Sequence, residues 1–137
     1  MEIRIDQDTT LGAIKVAFTS KWPHLKLVFF TKPHEEHRGT GAKFMISDEK
    51  QTVGQTAAGF QGAVDVVMDD RTTVWQLEQL FETQLGLHVH VFRRSGNTWL
   101  ESTVSDDLTL AQQEAKGLAG EQGGLYIPDL IDYREQD

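Results

Sequence analysis

The segment DQDTTLGAIKVAF at residues 6–18 returns in altered form as DDRTTVWQLEQLF at residues 69–81. Setting Thr9 and Thr10 on Thr72 and Thr73 aligns Asp6 with Asp69, Leu11 with Val74, Ile14 with Leu77, Ala17 with Leu80, and Phe18 with Phe81. Apolar residues three and four apart share one face of a helix, so each copy predicts an amphipathic helix starting at its second threonine. Leu11, Ile14 and Phe18 should face a core in the first helix, and Val74, Leu77, Leu80 and Phe81 in the second. Thr73 with Gln76 forms the Thr-x-x-Gln pattern, which satisfies exposed amides at a helix start. In the first copy Ala13 holds the third position and leaves that box incomplete, and Gly12 weakens the helix further by up to about 1 kcal/mol relative to Ala.

The surroundings repeat as well. EIRID precedes the first helix and AVDVVMD the second, each alternating apolar with polar residues as a strand does. After Pro23 or Gly86, HLKLVFFTK and LHVHVFRR are rich in β-branched and aromatic residues. The second run meets a turn at Gly96 and Asn97 and continues as TWLESTVS, which predicts a hairpin; the first passes through the polar loop PHEEHRGTG to AKFMIS. SDEKQTVGQ and SDDLTLAQQ then supply two further Thr-x-x-Gln starts, Thr52 to Gln55 and Thr109 to Gln112. The expected fold class is therefore α+β: an internal duplication of a β-α-β-β unit with a short helix, forming mixed sheets with helices packed on one face. Residues 1–55 make the first half, 56–63 a Gly-rich connector, 64–117 the second half, and 118–137 a C-terminal tail that docks on the fold or on a partner. Glycines after Thr109 are expected to end the last helix, and Phe60 is expected to tuck into the core.

Alternation also assigns faces to the hairpin. Val89 and Val91 share one face with Leu100 and Val104. His88, His90, Phe92 and Arg94 share the other with Trp99, Glu101 and Thr103, and the matching face of the first half carries Lys26, Val28 and Phe30. A face mixing large aromatics with charges is a candidate contact surface. Its candidate binding residues are His88, His90, Phe92, Arg94, Trp99 and Glu101. Packing against the other half, the tail or a second copy would equally explain it.

Chemistry is harder to find. His88 and His90, or the HEEH loop at His34 to His37, are pieces of a metal site, yet they lie in different halves and lack the helical spacing of metalloproteases. No residue pair is marked as acid and base, no nucleophile elbow occurs, and GTGAK lacks the spacing of a phosphate loop. No catalytic residue, metal ligand or cofactor is therefore assigned. The net charge of −8 argues against nucleic acid and anionic membranes. With no cysteine, an N-terminus unlike a secretory signal and no apolar run of spanning length, the expected location is the cytoplasm.

The second half, through TTVWQLEQLF, LHVHVFRRSGNTWLE and SDDLTLAQQ, resembles a family of small bacterial α/β proteins of unknown function. That resemblance implies architecture and no activity. TTVWQLEQLFETQLGL through LTLAQQEA is also similar to ubiquitin-like β-grasp domains, with one strand before the helix where the grasp has a hairpin. The leading expectation is a non-catalytic module that binds a protein partner or forms a homodimer. The alternatives are a small-molecule binder or enzyme using a groove between the halves, with His88, His90, Arg94 and Glu101 as polar groups, and a histidine-based metal binder.

Overall fold

A computed structural model describes residues 1–32, 42–102 and 106–122. The PHEEHRGTG loop, residues 103–105 (with Thr103 and Val104 of the expected hairpin faces) and residues 123–137 lie outside the described residues.

Strands β1 (Glu2–Asp6) and β4 (Ala63–Val67) pair antiparallel, running from Glu2↔Val67 to Asp6↔Ala63. The second sheet has the order β3-β2-β5-β6, built from β2 (Leu25–Phe30), β3 (Met45–Ile46), β5 (His88–Ser95) and β6 (Thr98–Glu101). Helices α1 (Leu11–Lys21) and α3 (Val74–Leu85) pack against β2 and β5, α2 (Val53–Thr56) is a single turn, and α4 (Leu110–Gln122) lies over β5 and the start of β2. The α+β class and the β-α-β-β order of each half are as expected. Where the sequence predicts mixed sheets, every described pairing is antiparallel. The reason is that each helix carries the chain from the small sheet to the large one, so the strands flanking it never become neighbours.

The repeated Asp-x-x-Thr-Thr segment works the same way in both halves. Asp6 Oδ1 accepts the Asp8 amide at 2.8 Å, and the Asp6 amide donates to Thr9 Oγ1 at 3.0 Å. Asp69, Arg71 and Thr72 repeat both bonds at the same lengths. Thr10 then caps α1 through the Ala13 amide, while Thr73 and Gln76 close the complete box on α3, as do Thr52 with Gln55 and Thr109 with Gln112.

The free amides at the helix starts are met reciprocally. Leu11 donates to the Gln51 carbonyl and Val53 to the Thr9 carbonyl; Val74 donates to Leu108 and Leu110 to Thr72, all within 2.8–3.0 Å. Two helix N-termini in each half thus satisfy one another's orphan donors, a requirement of every helix start. The same frame therefore recurs in both halves.

One core serves both. Ile5, Leu11, Ile14, Phe18 and Trp22 from the first half join Val66, Met68, Val74, Leu77, Phe81 and Leu85 from the second, over Leu25, Leu27, Phe29, Val89 and Val91 of the large sheet. The Trp22 indole N–H donates to Asp70 Oδ1 across the halves at 2.8 Å. Phe60 packs against this core from the connector, as expected.

Two local expectations are corrected. Leu80 is only half-buried, because Phe81 and Leu85 continue the inward stripe and leave it beside Trp75 at the helix edge. AKFMIS pairs only through Met45 and Ile46, since a 3-10 turn occupies Ala42–Phe44. Helix α4 passes through Gly117 and Gly120 to Gln122, and Gly123 and Gly124 of the expected glycine stop lie outside the described residues. Gly117 and Gly120 let it approach the sheet: a Cβ on Gly117 would lie 2.8 Å from His24 Cβ, and one on Gly120 would lie 3.3 Å from the Arg94 carbonyl.

Candidate functional site

The β5-β6 register of Phe92↔Glu101, Arg93↔Leu100, Arg94↔Trp99 and Ser95↔Thr98 puts the turn at Gly96 and Asn97, with Gly96 at φ +58°. His88, His90, Phe92, Arg94, Trp99 and Glu101 consequently share the face of the large sheet opposite the main core. Lys26, Val28 and Phe30 join them from β2, through Lys26↔Phe92, Val28↔His90 and Phe30↔His88. The six sequence-derived residues thus lie on one face, but they divide into three environments.

His90 is in the middle and almost fully buried. Its ring stacks on Phe30 with centroids 4.2 Å apart, and its Nδ1 is hydrogen-bonded to a Glu101 carboxylate oxygen. These two residues, offered as polar groups of a groove, form a buried pair within the sheet face. His88 lies at one end and lines a separate cleft. Among the described residues no cluster of three or more His, Asp or Glu residues is placed to hold a metal ion.

The other end is cationic and aromatic. The Lys26 ammonium lies 4.7 Å from the Trp99 ring centroid and 6.0 Å from that of Phe92, and the Arg94 guanidinium lies 5.4 Å from Trp99. Trp99 is half-buried between the two cations. Arg94 Nε donates to the Gly96 carbonyl at 2.8 Å, which holds it beside the turn. Among the described residues neither cation has a carboxylate partner. Burial holds the Lys26 ammonium below its ordinary range, and the Lys15 ammonium adds to this; Glu49 opposes it, and Arg94 adds a further push downward.

Beside Trp99 an open groove of about 460 Å³ is lined by Lys15, Val16, Thr19, Ser20, Lys26 and Glu49. Lys15 is held by Glu49 at 3.1 Å, whereas Val16 is two-thirds exposed. An apolar floor with an unneutralised ammonium at its edge suits a ligand that carries both apolar and acidic groups. Sequence reasoning missed Lys15, Val16 and Glu49, because they lie on the outer face of α1 and in the turn before α2. Only the fold brings them beside β6.

The second cleft, at the His88 end, holds about 290 Å³ and runs between the halves, lined by residues of β2, β3 and α2 on one side and Gly86, Leu87 and His88 on the other. No family model matches this chain, and no curated protein or solved structure is significantly similar to it. Among the described residues no helix is long and apolar enough to cross a membrane.

Proposed function

We propose that this chain is a non-catalytic self-association module, built on a duplicated β-α-β-β unit and working in the cytoplasm. Its Lys26–Trp99–Arg94 face receives the acidic, apolar segment 125–137 of a second copy. The observation that carries this reading is the pair of cations bracketing a half-buried tryptophan, with no carboxylate partner for either among the described residues of a chain with a net charge of −8. Partly desolvated cations over an aromatic ring attract acidic groups strongly, and the ring supplies apolar contact area.

The chain contains a segment of the matching chemistry. Leu125, Tyr126, Ile127, Leu130, Ile131 and Tyr133 alternate with Asp129, Asp132 and Glu135, and Asp137 ends it. It comes after α4, whose Gly120 carbonyl accepts the Gly96 amide at 3.2 Å, so the chain leaves the last helix next to the β5-β6 turn and Arg94.

A synthetic peptide of residues 125–137, titrated into the chain ending at Gly124 and followed by the NMR signal of the Trp99 indole, tests the docking. Saturable shifts centred on Trp99 and Arg94, lost in the Lys26→Glu variant, are expected. Shifts absent at Trp99, or unchanged by Lys26→Glu, would remove this face as the receptor.

A further inference from the structure

The cleft at His88 marks the place where the two halves differ most. The amide of Val53 at the start of α2 donates to Thr9, as that of Leu110 at the start of α4 donates to Thr72, so the two helices hold equivalent positions. Helix α4 continues to Gln122 and fills the space over the end of β5 and the start of β2, with Gly117 against His24 and Arg93. Glu114 there receives the His24 amide at 2.8 Å and its Nδ1 at 2.5 Å. Helix α2 stops at Thr56 after one turn. The residue four after Val53 is Ala57, where α4 has Glu114 four after Leu110, and its small side chain is buried beside Gly86. What α4 fills in the second half is left as a cleft in the first.

The polar groups around that cleft have a definite sense. Gln55 Oε1 accepts the Thr52 amide at 2.9 Å in the capping box; the Thr56 hydroxyl lies 2.8 Å from the Gln51 side-chain amide and 2.9 Å from the Thr52 carbonyl, and its single proton serves one of them. An amide oxygen fixed as acceptor identifies the other atom as the NH₂ group. The Gln55 side-chain nitrogen is therefore left as a donor, with no partner among the described residues. Neither ring nitrogen of His88 has one either, and its Nδ1 is shut off from solvent. Phe30, Ile46 and Leu87 supply apolar wall, and among the described residues the imidazole of His88 is the one ionisable side chain in the lining.

We infer that this cleft binds a small, neutral, planar heterocycle carrying carbonyl acceptors, of the lactam or cyclic-imide class. The Gln55 amide donor calls for a carbonyl oxygen, His88 Nε2 can meet a ring N–H, and the apolar walls suit the faces of a flat ring. Charged ligands find no fixed counter-charge among the described residues of the lining. At about 30 Å³ per water, roughly ten waters fill the 290 Å³, and a single-ring ligand would displace part of them. The inference is independent of self-association at Trp99, which lies at the other end of the sheet face.

Uracil is the probe, titrated into the ¹⁵N-labelled full chain by NMR. The expected result is a set of saturable shifts at Thr31, Gln55, Thr56 and His88, with a dissociation constant on the order of 1 mM, as suits a ligand of about eight heavy atoms. Gln55→Glu keeps the capping box, since glutamate serves there equally, but replaces the NH₂ donor with a carboxylate. It is expected to weaken uracil binding at least about tenfold, a loss of one hydrogen bond to a ligand acceptor, while leaving the melting temperature unchanged. The absence of saturable shifts at these residues, or equal binding by Gln55→Glu, would overturn the assignment. So would toluene causing the same shifts at the same concentrations, because the cleft would then select for apolar size alone.

Discussion

At the scale of single residues, threonine and aspartate do the most to define this fold. Each Asp-x-x-Thr-Thr segment uses the carboxylate to hold the turn, the first hydroxyl to meet the Asp amide and the second to cap a helix. This was readable from the sequence because capping is local: donor and acceptor lie within three residues. The chemistry of Lys26 was not readable, because its neighbours Lys15, Arg94 and Trp99 come from three different elements. Burial and the nearby cations keep its pKa in the folded protein below the ordinary 10.5, so the unfolded chain binds more protons in that interval. Stability therefore rises as pH climbs from the lowered value through 10.5. Denaturation midpoints measured between pH 8 and 11 should show this rise at about the expected place, and Lys26→Met should abolish it and be the more stable protein at neutral pH. A flat profile shared by both proteins would mean that Lys26 carries no burial cost.

At the scale of elements, the sequence located the strands and helices through periodicity but did not show that α4 passes through two glycines. Glycine reads locally as a helix stop, yet Gly117 and Gly120 are there because the helix passes close to His24 and to the Arg94–Gly96 backbone. Such a packing requirement has no local signature. It does reverse the sign of a substitution. On helix propensity alone Gly117→Ala should add about 1 kcal/mol of stability. With the new methyl 2.8 Å from His24 Cβ and 2.9 Å from the His24 carbonyl oxygen, overpacking should outweigh that gain and leave the protein about 1–2 kcal/mol less stable in urea unfolding. A more stable variant would show that α4 does not press on β2 as described. The face assignment of the hairpin over the described residues, by contrast, was legible, because two-residue turns fix register and alternation does the rest. What alternation could not show was that His90 and Glu101 satisfy each other while Trp99 stands between cations.

At the scale of the whole molecule, two halves with the same hydrogen-bond frame share one core and differ in how the chain proceeds from their final capped turn. One half stops after α2 and leaves a cleft between Thr56 and His88, and the other continues as α4 toward the β5-β6 turn. The β-α-β-β order was legible because it repeats; the cleft was not, since it arises where a helix stops short and is lined by residues drawn from both halves. Self-association through residues 125–137 is a property of this scale. Light scattering on the full chain, on the chain ending at Gly124 and on full-length Lys26→Glu tests it most directly. If the segment of one copy docks on the cationic face of another, the full chain has twice the monomer mass and both variants are monomers. A full chain that is monomeric, or a dimer that survives both changes, would contradict it.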